Sequence, residues 1–152
     1  MDGLTAQDIE TRRVTVADAA LFARVAPEVF DAAVDPARLP AYLAAPGHLM
    51  VVAMHEDKIV GQIAAVIHRH PDKATELYID EVGVTPALQR RGIGHRLLRE
   101  MLTWGKDLGC DEAWVGTETD NEAACGLYES LAPTDIRSAA PPETFVLYLY
   151  EL

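Results

Sequence analysis

The hydrophobic pattern is clearest over residues 77–108, where a strand-like segment precedes a helix-like one. Residues 77–84 are rich in apolar and β-branched side chains. Pro86 cannot donate to a sheet ladder, so it predicts the end of this strand. Farther along, apolar residues recur at helical spacing, namely Ile93, Leu97, Leu98, Met101, Leu102 and Leu108. Gly109 has the position of a C′ glycine and predicts the end of the helix.

The same reasoning predicts six strands along the chain, at residues 11–14, 49–54, 59–67, 77–84, 113–115 and 144–150. Residues 49–67 form a predicted β-hairpin, and a polar loop at residues 68–75 leads into the central strand. The order of elements is β-α-α-β-β-β-α-β-α-β. It predicts an α/β (α+β) fold with a mixed central sheet of about six to seven strands and helices on both faces.

Helix-start signals place the other helices. Thr15, with Asp18 three residues later, predicts an N-cap for a helix over residues 16–24. Asp35-Pro36 predicts a second start, and Asp120 predicts the cap of a third. The apolar face of the second helix is Leu39, Tyr42 and Leu43, and that of the third is Ala123, Ala124, Leu127, Tyr128 and Leu131. A proline-rich loop follows Pro133.

Composition narrows the class of protein. At 152 residues and 49% hydrophobic content, residues 1–152 are expected to form a single domain with a buried core. The chain has 24 acidic and 13 basic residues, a net charge of -11. This balance argues against nucleic-acid binding, which depends on Lys and Arg contacts to phosphate. It favours a cationic substrate, although acidity can also serve solubility alone.

Targeting signals are missing from the pattern. The first ten residues are acidic and lack an apolar run, so no signal peptide is expected, and no stretch reaches membrane-spanning length. Cys110 and Cys125 show no motif spacing. They are expected to be reduced thiols in a cytoplasmic protein.

The segment between the central strand and its helix is a candidate anion site. The first N–H groups of a helix have no internal partner, and the helix dipole adds positive potential there. A P-loop is excluded because His95 follows Gly94, and a Rossmann fingerprint is excluded because Leu97 takes the place of its third small residue. The backbone from Arg90 to Gly94 could form a nest around phosphate, with glycines allowing close approach. An ordinary turn with solvated arginines is the alternative.

Together with its flanking strand and helix, Gln89-x-x-Gly92-x-Gly94 resembles the acetyl-CoA signature of the GCN5-related N-acetyltransferases (GNAT), Q/R-x-x-G-x-G/A. The order of elements is similar to that fold along nearly the whole chain. The resemblance implies acetyl-CoA as cosubstrate, with its pantetheine arm pairing along a central strand that splays from its neighbour. It implies cofactor contacts from Val82, Gly83, Val84, Gln89, Arg90, Arg91, Gly92, Ile93 and Gly94, with the Val82 N–H directed at the thioester oxygen.

Within this superfamily, several segments resemble the aminoglycoside 3-N-acetyltransferase type I group. They are Pro36-x-x-Leu39 with Tyr42-Leu43, His70-Pro71-Asp72-Lys73, Glu81-Val82-Gly83-Val84 and Trp114-Val115-Gly116-Thr117. This second resemblance implies a small polycationic amine as acceptor, with an aminoglycoside first. A polyamine or a protein amine is the alternative acceptor.

Asp80 and Glu81 are the candidates for accepting the proton of the amine. Adjacent strand residues point to opposite faces, so one of the two is expected to face the cleft. Burial raises a carboxylate's pKa toward useful basicity. The acid of the aminoglycoside-like enzymes, just before their Val-x-Val segment, matches Glu81, which is therefore the implied base or substrate anchor. Asp80 is the second candidate, and pairing with a neighbouring arginine is the alternative for either.

Tyr128 lies in Asn121-x-x-Ala124-x-x-Leu127-Tyr128, which resembles the second signature of the family. The resemblance implies that its hydroxyl lies near the cofactor sulfur and protonates the thiolate, and that Asn121 and Ala124 contact the pantetheine. A tyrosine at helical spacing otherwise belongs to the core. The family continues to a Gly-Phe turn, whereas this chain has Leu131-Ala132-Pro133. This departure predicts a repositioned loop and strand on the acceptor side.

The histidines give a weaker signal. His68, His70 and Asp72 share a loop, but no further Cys or His lies at ligand spacing, so no metal site is expected. His70 is a candidate for lining the acceptor pocket. His48 is expected at a strand end.

These observations predict an acetyl-CoA-dependent N-acetyltransferase in which the amine attacks the thioester directly within a ternary complex. No cysteine sits where a covalent acetyl-enzyme would obviously form. The expected partner is a small-molecule amine, with no nucleic acid and no membrane, and a homodimer is an open possibility. A non-catalytic acyl-CoA-binding sensor of the same fold is the alternative. Loss of Tyr128 or of both strand carboxylates would have favoured the sensor, and all three residues are present.

Overall fold

The computed structural model describes residues 8–138 and 144–152. Its strands are β1 (Glu10–Arg13), β2 (His48–His55), β3 (Lys58–His68), β4 (Glu76–Val84), β5 (Glu112–Glu118), β6 (Asp135–Ser138) and β7 (Phe145–Glu151). They form one seven-stranded sheet in the order β1-β2-β3-β4-β5-β7-β6. The β4–β5 pair is parallel, and the other neighbouring pairs are antiparallel. The predicted mixed sheet is confirmed.

Among the described residues, the sheet is accompanied by the α-helices α1 (Leu39–Ala44), α2 (Ile93–Asp107) and α3 (Glu122–Glu129), and 3₁₀ turns cover Ala19–Ala23 and Pro86–Leu88. Four residues of the predicted apolar stripe of α2 are buried, namely Ile93, Leu97, Leu98 and Met101, whereas Leu102 is half-buried and Leu108, beyond the end of the helix, is 44% exposed. The helix packs closely at Gly61, where an added Cβ would lie 3.3 Å from the side chains of both Ile93 and Leu97. The helix ends as predicted, because Gly109 adopts φ +89°.

The helix predicted over residues 16–24 is wrong, since only the 3₁₀ turn at Ala19–Ala23 forms there. The carboxylate of Asp18 forms hydrogen bonds to residues that precede it in the chain and does not contact the N–H groups of a helix. It accepts hydrogen bonds from the Thr15 N–H (2.7 Å), the Thr15 hydroxyl (3.1 Å) and Arg12 (2.6 Å). Thr15 therefore belongs to a turn that is exposed except for the buried Asp18, and it does not cap a helix through its side chain.

This turn leads to a stability prediction. Burial alone would raise the pKa of Asp18, but hydrogen bonds from Thr15 and Arg12 outweigh it and hold the pKa below its ordinary 3.8. Asp18→Asn should lower the free energy of unfolding at pH 7 by about 2 kcal/mol. Because the folded-state pKa is depressed, this contribution is present above pH 3.8 and is lost as the pH falls further. Urea unfolding at pH 7 and in acid measures it.

The matched control is Asp72→Asn, at an exposed position. It should leave the free energy of unfolding within about 0.5 kcal/mol of that of the parent protein. Equal midpoints for the Asp18 variant, the Asp72 variant and the parent would contradict a structural role for Asp18.

Three further differences from the sequence prediction concern the last third of the chain. The cap of α3 is Asn121, whose Oδ1 accepts from the Ala124 N–H at 3.1 Å, and not Asp120. The helix also ends at Glu129, so Leu131 lies beyond it. Strand β6 (Asp135–Ser138) lies in the segment that was predicted to be a loop. It was not predicted because its four residues lack an apolar alternation. The rest of that loop at residues 139–143, and most of the acidic amino-terminal segment, lie outside the described residues.

Candidate active site

The central strands separate part-way along the sheet. β4 and β5 pair only from Glu76–Glu112 to Ile79–Val115. Beyond that point β5 continues beside β7, while β4 continues to Val84 beside β3. Within the described residues, the β5 side of residues 80–84 therefore has no strand partner. Its backbone groups are available to an extended ligand, as the resemblance implied.

The turn that is predicted to form an anion nest lies at the start of α2. Gly92 is the N-cap residue with φ +79°, and Arg90 has φ +62°. A Cβ added at Gly92 would meet nothing within 4 Å, so the space in front of it is open. The first N–H groups of the helix have no internal acceptor, and the first turn carries no acidic residue. Gln89 ties this turn to the end of β4, because its Nε2 donates to the Val84 carbonyl at 3.0 Å.

Gly94, which is predicted to let the backbone approach the cofactor, also has a role in packing. A Cβ at this position would lie 3.3 Å from Leu127 Cδ2, so the missing side chain makes room for α3. A second contact joins the same elements, since His95 Nδ1 lies 2.9 Å from Ser130 Oγ. The two sequence motifs, distant along the chain, thus stand side by side at the start of α2.

Tyr128 is buried in the motif of α3. Its side chain is 6% exposed, and its ring packs against Tyr148 with centroids 5.5 Å apart. Its backbone carbonyl accepts a hydrogen bond from the Tyr150 hydroxyl. Burial, with a smaller electrostatic contribution from Cys125, raises the pKa of Tyr128 to about 12. The phenol is therefore protonated at neutral pH and can act as a proton donor.

The prediction that Asp80 and Glu81 point to opposite faces is wrong. Glu81 pairs with Ala64, and Ile79 pairs with Ala65, so Asp80 is an extra residue in β4. Such a bulge interrupts the alternation of side chains. Both carboxylates consequently line the same cavity.

This cavity has a volume of about 560 Å³. It lies between the sheet and the segments before β2. On the same face of the sheet, Val29 packs against Gly83 so closely that a Cβ added to Gly83 would collide with the Val29 backbone. Its walls are largely apolar, including Phe22, Phe30, Leu39, Tyr42, Met50 and Val66. Charged or polar groups join them at Asp35, Arg38, His48, Asp80 and Glu81.

The environment of the cavity raises the pKa of both carboxyl groups. For Asp80 the cause is burial, partly offset by a backbone hydrogen bond and by His48. For Glu81 the causes are burial, then the nearby charges of Asp31 and Asp80, partly offset by a hydrogen bond from Gln62. A higher pKa makes Glu81 a stronger base toward an ammonium group.

Sequence reasoning missed Gln62 and His48 as site residues. Gln62 is fully buried, and its Nε2 donates to the Val29 carbonyl at 3.3 Å. Its Oε1 has no hydrogen-bond partner among the described residues. His48 lines the cavity and packs edge-on against Tyr42, with centroids 5.7 Å apart. A glutamine within an apolar strand was the only available signal, and His48 gave none.

Other predictions concern groups away from the cavity. His70 does not line it, since it contacts His68 and Glu76 at the far end of β4. Both cysteines are free thiols. None of the helices in the described ranges has the length and apolar character needed to cross a bilayer.

Comparison with known proteins decides the family. The family model described as Acetyltransferase (GNAT) family matches residues 19–132. The chain belongs to the GNAT family. GNAT relatives include N-alpha-acetyltransferase RimI of Mycobacterium tuberculosis, which is 34% identical over 120 residues that cover 78% of this chain and 73% of RimI.

Solved GNAT structures show the same fold. An aminoglycoside acetyltransferase from an uncultured soil metagenomic sample, in complex with trehalose, has a TM-score of 0.77 and 21% identity. The match covers 89% of this chain and 94% of the chain of that acetyltransferase. The structure of yncA from Salmonella typhimurium, solved with its cofactor acetyl-CoA, has a TM-score of 0.71 and 21% identity. The match covers 95% of this chain and 94% of the yncA chain. This GNAT chain is an N-acetyltransferase that uses acetyl-CoA as its cosubstrate.

Proposed function

We propose that this enzyme transfers the acetyl group of acetyl-CoA to a primary amine of a small cationic acceptor. The observation that carries the proposal is the bulge in β4, which brings Asp80 and Glu81 to one cavity just where β4 leaves β5. Two carboxylates attract an ammonium group, and the adjacent free strand edge suits the acyl donor.

The cofactor is held in two places in this proposal. The pantetheine arm pairs with Val82, Gly83 and Val84, and the pyrophosphate lies in the nest formed by Gln89, Arg90, Arg91, Gly92, Ile93 and Gly94. Ala124 flanks the pantetheine from α3. Asn121 uses its Oδ1 to cap that helix, so its side-chain N–H groups are the donors it can offer to the cofactor.

The reaction is a direct transfer within the ternary complex. The amine nitrogen attacks the thioester carbonyl carbon, and Glu81 takes the proton directly or through a water molecule. Asp80 holds the ammonium form before this step. As the C–S bond breaks, the Tyr128 hydroxyl donates its proton to the leaving sulfur. Because its pKa is about 12, the Tyr128 hydroxyl is protonated at neutral pH and therefore has a proton to give.

An aminoglycoside-like polyamine is the first acceptor proposed. The paired carboxylates and the net charge of -11 support it. The apolar walls of the cavity support a second candidate, a peptide α-amine whose first side chain packs on Phe22, Phe30 and Leu39. The similarity to an N-alpha-acetyltransferase is consistent with this second acceptor.

A thiol-release assay with acetyl-CoA and matched amines tests the proposal. The panel contains an aminoglycoside, a linear polyamine, and peptides with a free amino terminus that begin with Met-Leu or Ser-Asp. Each peptide is paired with a blocked version that carries a free lysine. Turnover of the aminoglycoside above all peptides supports the first acceptor, and a preference for the apolar peptide supports the second. Thiol release that no amine stimulates would refute the proposed function.

The nest gives a prediction about cofactor binding. Gly92→Val introduces a branched side chain into the open space before the helix, at a left-handed φ of +79°. Affinity for acetyl-CoA should fall at least about tenfold, because the side chain obstructs the pyrophosphate. Calorimetric titration with acetyl-CoA measures this loss, and far-UV circular dichroism verifies the fold.

Gly109→Val is the matched control, since Gly109 also has a left-handed φ of +89° and open space, but lies at the other end of α2. It should cost stability without weakening acetyl-CoA binding. Equal affinities in the Gly92 and Gly109 variants would contradict the nest.

A further inference from the structure

The end of β3 and the start of β4 bring two histidines and a glutamate together. His68 and Glu76 are directly paired across the two strands, and His70 follows two residues later in the connecting loop. One ligand-type atom from each side chain lies within 4.8 Å of the other two. The grouping was invisible in the sequence because Glu76 joins the histidines only through strand pairing.

The least exposed member of this cluster is His70. Its side chain is 14% exposed, and its Nε2 lies 3.3 Å from Glu76 Oε1. The contact does not have hydrogen-bond geometry, and this nitrogen has no hydrogen-bond partner among residues 8–138 and 144–152. The nitrogen is thus left without a hydrogen bond beside a carboxylate oxygen, and a cation between the two atoms would satisfy both.

The spacing suits one divalent transition metal. In a tetrahedral zinc site with bonds of about 2.0 Å, adjacent ligand atoms are about 3.3 Å apart. The His70–Glu76 pair already has this separation. His68 is exposed, and its ring centroid lies 4.1 Å from that of His70. Its ligand nitrogen lies within 4.8 Å of the other two ligand atoms, so a small movement of this exposed side chain would complete a three-residue site.

The surrounding charges favour a cation as well. Glu76 pairs with Glu112 of β5, and the chain as a whole carries a net charge of -11. Arg69, between the two histidines, interacts instead with Cys110, whose pKa is raised by burial and lowered in part by this arginine. We propose that His68, His70 and Glu76 form a binding site for Zn²⁺ or a similar divalent transition metal, with water completing the coordination. This site closes the β3–β4 hairpin at the end of β4 opposite the cofactor cleft.

Metal titration of the untagged, chelator-stripped chain tests the proposal. We expect uptake of one Zn²⁺ per chain, a raised melting temperature, and a Co²⁺ derivative whose spectrum lacks thiolate charge-transfer bands. His70→Ala and Glu76→Gln should each weaken zinc binding at least about tenfold. The matched control is His55→Ala, because His55 also lies beside a glutamate, 3.8 Å from Glu56, but in another turn.

Each outcome decides the proposal independently of acetyl transfer, since metal uptake and melting temperature are measured without substrate. Zinc binding that survives in His70→Ala, or that falls equally in His55→Ala, would overturn it. Thiolate bands in the Co²⁺ spectrum would assign the metal to a cysteine and also overturn it. The absence of saturable zinc uptake by the parent chain would do the same.

Discussion

Glu81→Gln should lower kcat/KM for the amine by about 10²-fold or more, because it removes the proposed base while keeping the shape of the side chain. The deficit should shrink at high pH, where more of the amine is already neutral. In the parent enzyme, kcat/KM should rise with pH as Glu81 loses its proton. Because its pKa is raised by burial and by Asp31 and Asp80, this rise lies above the ordinary 4.5. A pH–rate profile of both enzymes measures the effect.

Two carboxylate variants separate this role from simple charge attraction. Asp80→Asn should raise the KM for the amine by about tenfold with kcat little changed, since it removes binding that the ground and transition states share. Asp31→Asn, outside the proposed machinery, should shift the acid limb to lower pH and keep the plateau. The reverse pattern, an inactive Asp80 variant with an active Glu81 variant, would exchange their roles.

Tyr128→Phe should lower kcat by about 10²-fold with the KM for acetyl-CoA nearly constant, because it removes the proton donor to the thiolate but little volume. The deficit should depend on the leaving group. An acyl donor whose thiol has a lower pKa needs less protonation and should lose less activity. Steady-state kinetics with acetyl-CoA and with such an activated thioester measure this difference.

Tyr148→Phe is the matched control. This substitution also removes a phenol hydroxyl, from the tyrosine whose ring packs against Tyr128. The Tyr148 hydroxyl donates a hydrogen bond to Glu129 Oε1 at 3.2 Å. The substitution should change stability and leave kcat near that of the parent. If both variants retained full turnover, Tyr128 would be a packing residue only.

The elements of this fold could be predicted where the signal is local. The helix over Ile93–Asp107, its stop at Gly109 and the hairpin before the central strand all follow from periodicity and from turn residues. The short segment around Asp18 could not be predicted, because its conformation depends on a carboxylate that bonds backward to Arg12 and Thr15. Strand β6 forms only by pairing with β7, and its own residues carry no strand pattern.

The candidate site shows the same division. Glycine and charge at the start of α2 indicate an anion nest, which stays a prediction, whereas the packing of Gly94 against Leu127 depends on the position of another helix. The shared orientation of Asp80 and Glu81 depends on a register shift between two strands. Strict alternation, applied to one strand, therefore gave the wrong geometry for these two residues.

The most direct test of the account is a product balance during turnover with acetyl-CoA and the best acceptor from the amine panel. CoA and N-acetylated amine are quantified together, and the intact mass of the protein is recorded before and after the amine is added. Direct transfer predicts equal amounts of the two products and no acetyl group on the chain at any stage. Direct transfer would be contradicted if an acetylated protein formed without the amine and then passed its acetyl group to the amine. Cys125, three residues before Tyr128, is the free thiol nearest to it in sequence and would be the first residue to test.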